Sequence, residues 1–164
     1  MHKRILTAAI VVLAVFVGSV SAPPAAPADA SALFKQLAGS WRGEGDMVME
    51  DGTRDHLDCR GYYVLKQEGK GLSIASLCSS PSQKFELRSL VSESGSGLSG
   101  QWEERTYHAT GDVSGSVNGS SMNLSFTGTI EGKISIAFTG KTHSINVSAA
   151  GAGIKGISIS LTRI

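Results

Sequence analysis

Alternation of apolar and polar residues runs through most of this chain and constrains its fold more than any other feature. Met122, Leu124 and Phe126 are each separated by one polar residue, and the segment 154–163 repeats the pattern. Because successive side chains of a β-strand point to opposite faces, each such segment predicts a strand with one buried and one solvated face. The polar positions are mostly Ser and Thr, which tolerate strands and stay soluble with few charges.

Turn sequences separate the alternating segments at short intervals. Asp51-Gly52, Asn118-Gly119 and Glu131-Gly132 place glycine, which accepts positive φ, between them. The pattern predicts an all-β domain, an antiparallel up-and-down barrel of roughly 8 to 10 strands, because closure removes exposed sheet edges. A two-sheet sandwich fits the alternation as well and stands as the alternative. The predicted strands are 41–49, 54–66, 71–79, 84–92, 98–107, 110–117, 121–130, 133–140, 143–149 and 154–163.

The first thirty residues have the composition of a secretory signal peptide. A short basic start precedes an apolar run at 5–17, which is too short to cross a membrane. Small residues offer two cleavage points, after Ala22 and after Ala30. We favour Ala30, because Pro23 would follow the earlier cut and its fixed φ and missing N–H make it a poor neighbour of the scissile bond. The expected organisation is a signal peptide at 1–30 and one periplasmic or secreted domain at 31–164, with no stable membrane anchor.

The charge of the expected domain excludes two classes of partner. Removing residues 1–30 takes Lys and Arg from 15 to 13 and Asp and Glu from 14 to 13, so the domain is formally neutral. Nucleic-acid binding by counterion release needs a clustered basic face, and attraction to anionic lipid needs basic residues as well. We therefore expect neither nucleic acid nor an anionic membrane as a partner. The oligomeric state does not follow from these patterns.

One helix is predicted before the first strand. Ser31 is the expected N-cap, Leu33, Phe34 and Leu37 share one face, and Gly39 ends the helix. Such a helix would close the floor of the barrel. A frayed terminal segment is the alternative.

The two cysteines are placed to form a disulfide. Pairing the second and third strands symmetrically about the loop at 67–70 puts Cys59 opposite Cys78. In an exported chain with two facing cysteines we expect a bridge, which for a loop of about 20 residues stabilises by roughly 3 kcal/mol in the chain-entropy model. A metal or redox role is not indicated, because the two thiols lack Cys-x-x-Cys spacing.

The sequence Leu-x-Gly-x-Trp occurs twice, at 37–41 and at 98–102. Gly39-Ser40-Trp41 after the predicted helix, together with Arg163 on the last strand, resembles the lipocalin and calycin group of β-barrels. This resemblance implies an up-and-down barrel whose base is closed by Trp41 and Arg163 through a cation–π contact worth about 0.5 to 2 kcal/mol. Trp41 is then structural, and Trp102 is the copy that can touch a ligand.

No catalytic or metal motif is recognisable in the sequence. Ionisable residues cluster at 51–58 and at 103–108, and we interpret both clusters as solvated strand edges. Glu103 and Glu104 point to opposite faces of a strand, and His56 with Asp58 lacks a third metal ligand. Serine is abundant, but no strand-to-helix nucleophile elbow surrounds it. We therefore expect a protein that is not an enzyme, with no catalytic residue, metal or cofactor.

Three functions remain open at this stage. The barrel can carry a small apolar ligand, it can inhibit a secreted protease as similar disulfide-bridged periplasmic barrels do, or it can be a filled structural envelope protein. Small inward residues, such as Gly61, Ser76, Ser89 and Gly100, would favour a cavity. We favour the ligand-binding function. The residues predicted to line its pocket are Trp102, Tyr63, Leu72, Ile74, Phe126, Ile136 and Phe138.

Overall fold

The computed structural model describes residues 29–150 and 153–164. Each strand in this part of the chain pairs antiparallel with its sequence neighbours, and the first pairs with the last to close a barrel. The predicted up-and-down barrel is therefore confirmed, and the sandwich is excluded. The elements are α1 (Ala30–Leu37), β1 (Gly39–Met49), β2 (Arg54–Lys66), β3 (Gly71–Ser79), β4 (Lys84–Ser94), β5 (Gly97–Glu104), β6 (Ala109–Asn118), β7 (Ser121–Gly128), β8 (Glu131–Thr139), β9 (Thr142–Ala150) and β10 (Ile154–Arg163).

The inward and outward faces follow the alternation of the sequence. In β2, every second residue from Leu57 to Tyr63 is buried, and the residues between them are exposed. The predicted register of β2 and β3 is confirmed, because Cys59 pairs with Cys78 and the two form a disulfide. Both cysteines are buried on the inner face, so the bridge cross-links neighbouring strands from inside the barrel.

Two strands end at least two residues earlier than the sequence predicts. β5 ends at Glu104 and not at residue 107, because the Glu104 carboxylate accepts hydrogen bonds from the amides of Thr106 and Tyr107 at 3.2 and 2.7 Å. His108 closes this turn with φ 57°. β7 ends at Gly128 and not at residue 130, since Gly128 adopts φ 131°, which only glycine accepts without strain. Side-chain hydrogen bonds to the backbone thus end β5, and a glycine with positive φ ends β7.

Helix α1 begins two residues earlier than predicted, and its N-cap is Asp29 and not Ser31. The Asp29 carboxylate accepts a hydrogen bond from the Ser31 amide at 3.0 Å. The Ser31 hydroxyl instead donates to the Glu93 carboxylate at 2.8 Å, which ties the helix to β4. The expected cleavage after Ala30 falls in the first turn of this helix, and the cleavage position stays a prediction.

The two ends of the barrel differ. At the end that we call the helix end, Leu33, Phe34 and Leu37 of α1 are almost fully buried against the barrel core. At the opposite end, which we call the far end, the chain turns between β1 and β2, β3 and β4, β5 and β6, and β7 and β8. The rest of the expected signal peptide lies outside the described residues. No helix in the described part of the chain is long and apolar enough to span a membrane.

Candidate functional site

The helix end is built around Trp41. The Trp41 indole is fully buried, and its Nε1 donates a hydrogen bond to the Leu37 carbonyl at 2.8 Å. The Arg163 guanidinium lies 4.3 Å from the ring centroid and donates to the carbonyls of Ala38 and Gln36. Arg163 therefore links the last strand to both the first Trp and the end of α1. This contact is the closure that the lipocalin resemblance implies.

A buried Tyr–His pair lies beside Trp41. The Tyr63 hydroxyl is 3.2 Å from Nε2 of His143, and the His143 ring packs edge-on against Trp41 with ring centroids 4.3 Å apart. His143 is 1% exposed, and its Nδ1 has no hydrogen-bond partner among the described residues. Burial, assisted by the charge of Arg163, lowers the His143 pKa to about 4. Burial also raises the pKa of Tyr63, so both side chains are neutral at neutral pH.

The inner face changes character toward the far end on β8, β9 and β10. Ile134, Val147 and Ile157 pair across these three strands. Ile134 and Val147 lie between exposed polar residues, and Ile157 is in phase with the buried Ile159 and Leu161, so all three face inward. Each nevertheless keeps part of its surface accessible. Ile145 on β9 is also only partly buried. We call Ile134, Ile145, Val147 and Ile157 the aliphatic wall. It presents β-branched side chains with no polar group, which suits apolar contact only.

Two aromatic rings, on β5 and β7, continue this inner face. Trp102 and Phe126 pack edge to face with centroids 5.7 Å apart, and Trp102 Nε1 donates to the Thr127 carbonyl at 3.1 Å. Each ring lies over a glycine of an adjacent strand. A Cβ at Gly111 would lie 2.8 Å from Trp102 Nε1, and one at Gly132 would lie 2.5 Å from the Phe126 ring. The glycines therefore let the rings lie close to the barrel wall.

The structure separates the seven predicted pocket residues into two groups. Tyr63 and Phe138 pack against Trp41 with centroids 6.3 and 6.2 Å apart, so they belong to the closed base. The space at Gly61 is also taken, because a Cβ there would lie 3.0 Å from the Tyr63 ring. The residues that belong with the buried core at the helix end are Tyr63, Leu72, Ile136 and Phe138, and those nearer the far end are Ile74, Trp102 and Phe126.

The ionisable cluster at 103–108 makes backbone hydrogen bonds and surface ion pairs. Glu104 is occupied by backbone amides, including that of Glu86 at 2.7 Å. Glu86 itself contacts the guanidinium groups of Arg88 and Arg105 at 3.0 Å. The hydrogen bond from Arg88 is the main cause of a lowered Glu86 pKa, and Arg105 adds to it. These are surface ion pairs of the kind that stabilises weakly.

The other cluster places His56 between two carboxylates on the outer face. Its ring nitrogens lie 3.4 Å from Asp46 and 3.6 Å from Glu44, and all three side chains are exposed. Among the residues that the structure describes, no group of three or more His, Cys, Asp or Glu side chains is placed to hold a metal ion. The cluster is a solvated set of charges.

Sequence reasoning missed most of the candidate site. The aliphatic wall was visible as strand alternation, but its residues were not among those predicted to line a pocket. The strand register would have identified the wall, because it pairs Ile134, Val147 and Ile157, and three inward aliphatic residues at one register form a continuous surface. The Tyr63 and His143 pair was missed because the two residues are 80 positions apart.

Solved structures share this architecture. The chain is similar to the S-type phycobiliprotein lyase CPES from Guillardia theta, with 11% identity, a TM-score of 0.62, and coverage of 81% of this chain and 91% of that one. It is also similar to Rv2717c from M. tuberculosis, with 14% identity, a TM-score of 0.63, and coverage of 84% and 98%. No protein-family profile and no curated protein sequence matches the chain. At these identities the likeness shows the fold: the protein is a lipocalin-like, or calycin-like, ten-stranded barrel.

This likeness corrects one expectation drawn from the sequence. We expected a protein that is not an enzyme, and that deduction is wrong, because a protein with this barrel is a lyase by name. Neither the architecture nor the lack of a recognised motif excludes catalysis. A fold hosts many functions, and activity depends on the side chains of the particular site.

Proposed function

We propose that the protein is an exported lipocalin-like barrel that binds a small apolar ligand against the aliphatic wall. The observation that carries this proposal is the difference between two sets of inward-facing residues. Trp41, Leu72 and Leu161 near the helix end are fully buried, whereas Ile134, Val147 and the rest of the wall remain partly accessible. Accessible apolar surface on a concave inner face is what small-molecule sites of β-barrels offer.

The chemistry of the wall sets the class of ligand. Its side chains can supply only dispersion contacts and release of ordered water, so the ligand gains free energy in proportion to the apolar area that it buries, roughly 25 cal/mol per Å². Trp102 and Phe126 add two aromatic edges on the same inner face. A charged ligand would find no partner on the wall. We therefore expect an uncharged, largely hydrocarbon or aromatic molecule.

The test uses N-phenyl-1-naphthylamine, an uncharged fluorescent probe, with the full-length protein. We expect saturable binding and energy transfer from tryptophan to the probe. Val147→Phe fills the centre of the wall and should weaken binding by about tenfold, which corresponds to about 1.4 kcal/mol. Ser148→Phe is the matched control, because the neighbouring residue faces outward. Urea unfolding of both variants checks that the fold is kept.

Two results would overturn the ligand proposal. One is the absence of saturable binding to the unsubstituted protein. The other is an equal loss of affinity in Val147→Phe and Ser148→Phe, which would place the probe elsewhere. Protease inhibition is not proposed, because no observation on the described residues or the similar structures favours a protease as partner.

Export is the second part of the proposal. The basic start and apolar run at the N-terminus support it, and the Cys59–Cys78 disulfide suits an oxidising compartment. The intact mass of protein from the periplasm or the medium should correspond to a chain that begins at Ser31. A chain beginning at Pro23 would move the cut to Ala22, and full-length protein confined to the cytoplasm would refute export.

A further inference from the structure

Exposed apolar side chains are concentrated on one outer face of the barrel. Six large apolar or aromatic side chains of the described residues are exposed, and four of them lie on β2, β3 and β4. These four are Tyr62, Val64, Leu77 and Leu90, with exposures of 54, 53, 38 and 40%. Several large exposed apolar side chains on one face are typical of an interaction site.

Strand pairing arranges this face as three rows of three residues. The row nearest the helix end is Val64, Ser73 and Leu90, in the order β2, β3, β4. The middle row is Tyr62, Ala75 and Arg88, and the row nearest the far end is Arg60, Leu77 and Glu86. We call these nine residues the β2–β4 patch.

We propose that the β2–β4 patch pairs with the same patch on a second copy of this chain, about a two-fold axis that runs along β3. Such an axis lies in the interface and places β2 of one copy opposite β4 of the other while keeping each row in place. Arg60 then faces Glu86, and Tyr62 faces Arg88. Val64 faces Leu90 in the remaining row.

These facing pairs are complementary in chemistry. Arg60 faces Glu86, whose carboxylate also contacts Arg88 and Arg105 of its own chain. Tyr62 with Arg88 is a cation–π pair and Val64 with Leu90 is an apolar pair, and the symmetry repeats each contact. An axis across the strands would instead place Val64 against Arg60 and Leu90 against Glu86. The arrangement of charges therefore favours the axis along β3 and a second copy as the occupant.

The middle strand suits this geometry as well. Ser73 and Ala75 are small, so the larger side chains on β2 and β4 can meet those of the partner across them. Leu77 faces Leu77 of the other copy on the axis. Two convex barrels meet over few strands, and an interface well below about 1,200 Å² is typical of weak association. We therefore expect a dimer that forms reversibly with rising protein concentration.

The experiment is sedimentation equilibrium of the full-length protein over a concentration series, with and without substitutions on the axis. The unsubstituted protein should show a mass that rises toward that of a dimer. Leu77→Lys and Leu77→Glu should each weaken self-association by at least about tenfold, because each places like charges opposite one another. Ser135→Lys, on an exposed position of β8, should leave it unchanged.

Mixing the two charged variants tests the symmetry itself. If residue 77 faces residue 77 of the other copy, a mixture of Leu77→Lys and Leu77→Glu should associate more strongly than either variant does alone. Three results would overturn the proposal: a monomer at every concentration, unchanged association of Leu77→Lys, or a mixture that associates no more strongly than either variant alone. The proposal is independent of the ligand site, because the patch lies on the outer face.

Discussion

Two regions of the inner face, the residues around Trp41 at the helix end and the aliphatic wall on β8 to β10, are both apolar but differ in how completely they are enclosed. Near the helix end, α1 covers Trp41 and its neighbours, and Arg163 fastens the last strand over the same ring. On β8 to β10 toward the far end, the wall of Ile134 and Val147 has no such cover within the described residues. Inward hydrophobic residues around Trp41 therefore stabilise the fold, while those of the aliphatic wall keep surface that is available for contact.

The largest predicted effect is on the free energy of unfolding, when an inward residue of β10 is truncated in each of the two regions. Leu161 and Ile157 both face inward on β10, but Leu161 is fully buried and Ile157 is only partly buried. Leu161→Ala should lower the free energy of unfolding by about 2 to 5 kcal/mol, since it removes buried methyl groups and leaves a cavity. Ile157→Ala should cost less than half as much. Urea unfolding of the two variants measures the difference.

Equal losses in Leu161→Ala and Ile157→Ala would contradict the distinction between the two ends. An outward substitution on the same strand, Ser160→Ala, serves as the control. It should change the free energy of unfolding by less than about 0.5 kcal/mol, as surface substitutions usually do.

The second prediction concerns pH and the helix end. The His143 pKa is lowered to about 4, while an unfolded histidine titrates near 6.5, so the unfolded state binds protons first as pH falls. The contribution of neutral His143 to the free energy of unfolding is therefore fully present above pH 6.5, and it is lost as the pH falls from 6.5 through 4. The total loss is on the order of 3 kcal/mol, because one pKa unit corresponds to about 1.4 kcal/mol.

Chemical unfolding between pH 4 and 7 tests this dependence on His143. In His143→Leu, the free energy of unfolding should depend less on pH in that range. His56→Gln, at an exposed site on the outer face, should leave the pH dependence unchanged. Carboxylates with lowered pKa values, such as Glu86, contribute mainly below the window. An unchanged slope in His143→Leu would show that another group is responsible.

The third prediction concerns the cross-link inside the barrel. Replacing both Cys59 and Cys78 by Ser should lower the free energy of unfolding by roughly 3 kcal/mol, because the unfolded chain loses a constraint on a loop of about 20 residues. Thermal melts with and without reductant measure the same effect, with the double variant insensitive to reductant. Reaction of the oxidised native protein with a thiol reagent would contradict the bridge.

Local patterns in the sequence were enough to predict the strands of this fold. Ten segments were predicted, and the described part of the chain forms ten strands, because alternation and glycine turns act between neighbouring residues. The details that failed depend on contacts that are distant along the chain. Ser31 was expected to cap α1, but Glu93 of β4, 62 residues away, engages its hydroxyl.

The candidate site was less predictable than the fold for a geometric reason. Alternation shows which side chains point inward, but it does not show how far along the barrel axis each one lies. That height depends on the stagger of the strands, which is fixed only when β1 pairs with β10. Phe138 and Phe126 therefore looked equivalent in the sequence, although Phe138 packs on Trp41 and Phe126 packs on Trp102.

The smallest predicted effect concerns the contact that fastens the helix end. Arg163→Met keeps the length of the side chain but removes the cation–π contact with Trp41 and the hydrogen bonds to the carbonyls of Ala38 and Gln36. We expect a loss of about 1 to 2 kcal/mol in the free energy of unfolding. Arg42→Met, on the outer face of β1, should cost less than about 0.5 kcal/mol.

A second measurement separates this contact from a general loss of packing. The charge of Arg163 helps to lower the His143 pKa, so Arg163→Met should raise that pKa from about 4 while burial still keeps it below 6.5. NMR titration of the His143 ring measures the change, and Arg42→Met should leave it unmoved. A higher pKa of His143 in the folded protein lies closer to the unfolded value of 6.5. The free energy of unfolding should therefore fall less with decreasing pH in Arg163→Met than in the unsubstituted protein. A loss of stability with no change in the His143 pKa would mean that Arg163 acts on the helix end through packing alone.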